Sequence, residues 1–91
     1  MDITKAFCSF IDYLKFEKRY AQHSIVAYQT DLEQFSLFLL HQFSASEVTA
    51  ISASMIRSWL ATLKDNGLAA RSINRKLSTL KSFFRFLRKQ Q

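Results

Sequence analysis

Apolar residues recur along this chain at intervals of three and four in four successive segments, the repeat that lays one greasy stripe along a helix. The first segment runs from about Ile3 to Lys18 and turns Phe7, Phe10, Ile11 and Leu14 to one side, with Asp2 or Thr4 placed to cap its start. After a break near residues 19–22, Ile25, Tyr28, Leu32, Phe35 and Leu39 form a second stripe. The side away from it carries His23, Ala27, Thr30 and Gln34, which are small or neutral polar, and the periodicity puts Asp31 and Glu33 on the flanks. Residues 44–54 are polar and small and read as a loop ending in a cap at Ser52 or Ser54. A third helix follows, with Ile56, Trp59, Leu60 and Leu63 inward. Asp65-Asn66-Gly67 ends it, the only glycine standing where a left-handed residue stops a helix. The fourth segment follows a short link at 68–70 and aligns Ile73, Leu77, Leu80, Phe84 and Leu87, with Phe83 and Phe86 widening the stripe. Arg71, Arg75, Ser78, Ser82, Arg85 and Lys89 fall opposite.

Composition narrows the fold. With no proline and one glycine in 91 residues, hairpins and tight turns lack their usual residues, so the class is all-α. Nothing reads as a linker, an internal repeat or a charge run between domains, so residues 1–91 form a single domain large enough for one modest core. Periodicity leaves open whether the four helices pack as a bundle or as two crossed hairpins. The one cysteine, Cys8, reads as a small core residue, and a reducing cytoplasm suits it better than secretion. No apolar run approaches the ~18 residues that span a bilayer, and the acidic start lacks the order of a signal peptide. A soluble cytoplasmic protein with no membrane partner is expected.

Charge changes the picture more than composition does. The chain has 13 Lys and Arg against 7 Asp and Glu, a net charge of +6. The excess sits at one end, because residues 67–91 hold seven of the bases and no carboxylate. A solvated helix ordinarily intersperses Glu one turn from its Lys and Arg. One face built for burial and an opposite face of long cations separated by short hydroxyls fits the backbone of double-stranded DNA. On that reading Arg71, Arg75, Lys81, Arg85 and Lys89 hold phosphates. Ser72, Asn74, Ser78 and Ser82, with His23, Ser24, Thr30 and Gln34 on the second helix, are short enough to admit a groove. Gln34 has the chemistry to read adenine, and His23 and Ser24 to bond phosphate at a helix start. Two other readings fit the basic ending: an amphipathic helix docking on an anionic membrane or partner protein, and a stand-alone helix-turn-helix regulator that dimerises on palindromic sites.

Enzymatic chemistry finds no support. No nucleophile, base and charge stabiliser converge, so no catalytic residue is assigned. His23 and His41 are too far apart on one helix to share a metal, and Cys8 has no second thiol, so neither a metal site nor a cofactor is expected. Tyr13, Tyr20 and Tyr28 sit in core-edge or turn settings, and Trp59, Phe83 and Phe86 read as core rather than as stacking platforms for bases.

The order and wording of the segments resemble the core-binding domain of tyrosine recombinases, above all the Xer-type enzymes and phage-like integrases. The first half carries Tyr13-Leu14, Lys18-Arg19, Ser24, Tyr28, Asp31-Leu32, Phe35 and Phe38-Leu39; the second carries Gly67, Ser72, Arg75, Leu77-Ser78, Lys81 and Phe83-Phe84. The chain departs from that pattern at two apparent helix caps, where Ala21 and Ala69 stand in place of the usual serine. The resemblance implies a four-helix, SAM-like fold of two crossed hairpins whose second and fourth helices face the duplex. Arg75, central on the outer face, matches the family's arginine and can form a bidentate contact to phosphate or to guanine. The resemblance also implies a separate catalytic domain of the same parent chain, carrying the arginines, lysine, histidines and tyrosine of DNA breakage and rejoining, and other recombinase protomers as partners in a synaptic complex.

Overall fold

The Asp2 carboxylate accepts a hydrogen bond from the Lys5 amide at 3.2 Å and so opens the first helix, α1 (Ile3–Phe16). This computed structural model describes residues 1–89; Gln90 and Gln91, which close the basic segment, lie outside the described residues. The second helix, α2 (Gln22–Phe43), starts at Ala21 with no side-chain cap, as its sequence foretold. Residues 44–52 contain a short 3-10 turn at Val48–Ala50 where the sequence predicted only loop. That connection is tied to the start of α1, since the Ile3 amide donates to the Ser46 carbonyl at 2.9 Å. Ser52 caps α3 (Ala53–Asp65) by accepting from the Met55 amide at 3.2 Å, and α4 (Ala70–Lys89) completes the chain.

A residue with positive φ closes α2 or follows shortly after α1 and α3: Ser44 at 51°, Arg19 at 52° and Gly67 at 89°. After each, an amide reaches back to close the last turn: Tyr20 to Leu14 and Ala45 to Leu39 over six residues, and Leu68 to Leu63 over five. The glycine stop read from the sequence is therefore real, and two further stops of the same hand use residues that pay a steric cost there.

Helices α2 and α4 each touch all three others, so they form the centre of the fold. Phe83 of α4 is fully buried and meets Phe7 and Phe10 of α1 edge-on, with ring centroids 4.8 and 5.6 Å apart. Phe35 of α2 stacks at a tilt on Trp59 of α3 at 4.9 Å. Burial of each such aromatic contributes about 1.5–3 kcal/mol. The core reading of Trp59, Phe83 and Phe86 holds.

Three expectations need correction. The buried side of α4 is centred on Lys76, Thr79, Leu80, Phe83 and Phe86, while Ile73, Leu77, Phe84 and Leu87 are only half-buried. The stripe is rotated because two polar residues take inward places. Asp31 is not on a flank but 1 % exposed. Cys8 is exposed rather than in the core. The part of α1 that carries it borders an open groove of about 510 Å³ between α1 and α2, shared with Thr4, Gln29 and Leu37.

Candidate nucleic-acid interface

The polar residues that moved inward meet one another. Asp31 lies on α2 between Tyr28 and Phe35, one turn from each, and so within the buried arc. Its Oδ1 accepts from the Lys76 ammonium at 2.8 Å and from an Arg75 guanidinium nitrogen at 2.7 Å. Its Oδ2 accepts from the Thr79 hydroxyl at 2.9 Å. The Lys76 ammonium also donates to Gln34 Oε1 at 2.6 Å. A carboxylate in the interior is tolerable only when paired and hydrogen-bonded, and this one has three donors on one partner helix. Among the described residues, no buried side-chain polar atom lacks a partner.

The network stitches α2 to α4 and brings their polar faces side by side. Lys76 is buried along with Asp31, whereas the Arg75 side chain is 55 % exposed and Gln34 is exposed, so these two bridge the interior and the surface. Of the twelve residues that sequence reasoning assigned to DNA, His23, Thr30, Gln34, Arg71, Asn74, Arg75, Ser78, Lys81 and Arg85 are exposed, and Ser24, Ser72 and Ser82 are half-buried. His23 and Ser24 occupy the first turn of α2. The Thr30 hydroxyl is spent on the Val26 carbonyl at 2.9 Å. Arg71, Lys81, Arg85, Arg88 and Lys89 make no ion pair among the described residues, leaving a carboxylate-free cationic face along α4. At ~1.5 Å per residue that helix is roughly 30 Å long, comparable to a full turn of duplex.

Where the two helices come together, Tyr28 is half-buried near Tyr20 and Ser82. Burial pushes its phenol above 10.0, the nearby Tyr20 adds to the rise, and a bond to the Ser82 hydroxyl opposes it. Tyr28 is therefore a neutral hydroxyl at physiological pH and shows none of the activation a nucleophile needs. Among the described residues, no cluster of three His, Cys, Asp or Glu is positioned to hold a metal, and no helix is long and apolar enough to cross a membrane.

Sequence reasoning missed Asp31, Lys76 and Thr79. A signal was present: Asp31 falls between Tyr28 and Phe35, and Lys76 between Ile73 and Leu80, each at helical spacing inside an apolar stripe. Opposite charges embedded in two such stripes are candidates to pair across a helix interface.

Four helices packed around α2 and α4, with a cationic face on α4, define a small all-α domain. Residues 7–91 match the model of the phage integrase N-terminal SAM-like domain, and the chain belongs to that family. It is 40% identical over 79 residues to "Tyrosine recombinase XerC" of Halalkalibacterium halodurans, covering 87% of this chain and 26% of that protein. It is 42% identical over 78 residues to "Tyrosine recombinase XerD" of Rickettsia bellii, covering 86% of this chain and 25% of that protein. The chain thus spans about a quarter of the length of the curated relatives it matches. No solved structure matches it.

Proposed function

We propose that this domain grips double-stranded DNA on behalf of a tyrosine recombinase, laying the outer faces of α2 and α4 against one side of a recombination half-site. One observation carries the reading: the carboxylate-free cationic face of α4 lies beside the small, neutral polar face of α2, joined at Arg75. Long cations bind phosphates and set the register of the domain, while the short side chains of α2 let backbone approach backbone. Breakage and rejoining belong to a catalytic domain of the parent chain, as the lengths of the relatives support. Further protomers of the same kind would complete a synaptic complex, and the setting is cytoplasmic.

The centre of the apolar side of α4 is occupied by the core, with Leu80 and Phe83 at most 1 % exposed, which weighs against that helix docking on a membrane. The test is duplex affinity as a function of salt. Each phosphate neutralised contributes a slope of about −0.9 in log affinity against log salt. Lys81→Ala and Arg85→Ala should each weaken binding and flatten that slope by about one phosphate. Unchanged affinity and slope in both variants would remove the reading.

A further inference from the structure

Hydrogen-bond polarity in the buried network goes beyond a general DNA-binding face. Lysine has donors only, so the Gln34 atom 2.6 Å from the Lys76 ammonium must be the carbonyl oxygen. That oxygen is drawn toward the interior, and the amide nitrogen of the exposed Gln34 is the end left for solvent. Arg75 is held in a similar way, with one nitrogen on Asp31 at 2.7 Å and the remainder of a half-exposed guanidinium available outside. Lys76 is itself buried and cannot reach a ligand; its charge offsets that of Asp31.

We infer that Asp31 is a positioning residue for this face: from inside the fold it fixes Arg75 directly, and Gln34 through Lys76, as outward hydrogen-bond donors. The α2–α4 seam therefore takes acceptor atoms, meaning phosphate oxygens or the O6 and N7 edge of guanine. The paired contact to adenine uses both the nitrogen and the oxygen of the Gln34 amide and would have to share the oxygen with the Lys76 ammonium, whereas a contact to an acceptor uses the nitrogen alone. On this inference Gln34 serves as a donor through its nitrogen, in place of the adenine contact expected from sequence. This inference rests on the DNA-binding reading above and adds an organiser that touches no DNA.

The decisive variant replaces the network by apolar groups of similar size: Asp31→Leu, Lys76→Met and Thr79→Val together. One anion and one cation are lost, so net charge is preserved and electrostatics alone predicts no loss of affinity. Ordering of two side chains is lost as well, which corresponds to about a fivefold to 150-fold weaker duplex affinity at fixed salt. The expected result is that weakening with a melting temperature at or above that of the parent chain. A stably folded triple variant that binds like the parent overturns the inference.

Should the triple variant fail to fold, nitrogen-15 relaxation of the arginine side chains in the parent chain decides the matter. Arg75 must be rigid in the absence of DNA while Arg71 and Arg85 are mobile; equal mobility of all three overturns the inference. A parent chain that binds the duplex, and loses affinity on Lys81→Ala, keeps the DNA reading intact even if Asp31 fails. A parent chain with no salt-dependent duplex binding removes both. Two modified duplexes separate the acceptors. Methylphosphonate linkages weaken parent binding if phosphate is the acceptor, and 7-deazaguanine does so if guanine is; affinity unchanged by both modifications overturns the acceptor assignment.

Discussion

The two flanks of α2 are held by different chemistry. Toward α1 the helix offers Leu32 and Leu37 to an apolar groove, and no ion pair crosses it among the described residues. Toward α4 it offers Asp31 and Gln34 to Arg75, Lys76 and Thr79, with every polar contact between 2.6 and 2.9 Å. Apolar contact is nondirectional and tolerates small slides. A carboxylate with three donors fixes both the distance and the rotation of the helices it joins. The flank that carries the candidate DNA contacts is thus the one whose geometry is set by hydrogen bonds, and the opposite flank is held by packing.

The sharpest way to break that contrast is to remove one member of the buried set. Asp31→Leu strands the Lys76 ammonium in the interior and should cost about 3–5 kcal/mol, a large part of the ~5–15 kcal/mol of a small domain. Urea denaturation followed by circular dichroism measures it. Adding Lys76→Met and Thr79→Val should return the whole loss and bring stability to that of the parent chain or above, because apolar replacement of a whole buried ion pair is often neutral or stabilising. On the other flank, Leu37→Ser alters a side chain that is 56 % exposed and should change stability by no more than about 0.5 kcal/mol.

Helix starts give a smaller effect. Ala21 provides no side-chain cap to α2, and Ala69, whose carbonyl accepts the Ile73 amide at 3.1 Å, has no side-chain acceptor for α4. Ala21→Ser and Ala69→Ser should each raise stability by about 1 kcal/mol, read as a higher urea midpoint at unchanged slope. Smallest is the alkaline effect of Tyr28. Its phenol titrates higher in the folded state than its ordinary 10.0. The folded chain therefore holds that proton when the unfolded chain has begun to release it. Stability from this group is intact below pH 10 and declines above it, and Tyr28→Phe should flatten the decline in a pH series of melts.

Much of this fold was legible in the sequence, for reasons that individual residues make plain. Phe10, Leu14, Ile25, Leu32, Phe35 and Leu39 repeat at helical spacing and are all buried, because apolar periodicity reports burial directly. Ser52 and Gly67 marked helix limits because cap and left-handed stop each demand particular residue types. Periodicity failed where it equates polar with outward. Lys76 and Thr79 go inward only because Asp31, 45 and 48 positions away, supplies the countercharge and the acceptor. A one-dimensional pattern contains no partner. The same blindness placed Cys8 in the core, since its helix position gives no sign that α2 leaves an open groove beside it. For the candidate site, the cationic face could be read from charge segregation, but which of its members are tethered from within could not.

Titration of the nitrogen-15-labelled chain with a duplex oligonucleotide, followed by amide and arginine side-chain shifts, tests the assignment of the DNA-facing flank most directly. Perturbations should run along α4 from Arg71 through Ser78 and Lys81 to Arg85 and cross to Thr30 and Gln34 on α2. Perturbations confined to α1 and its groove with α2 would contradict it.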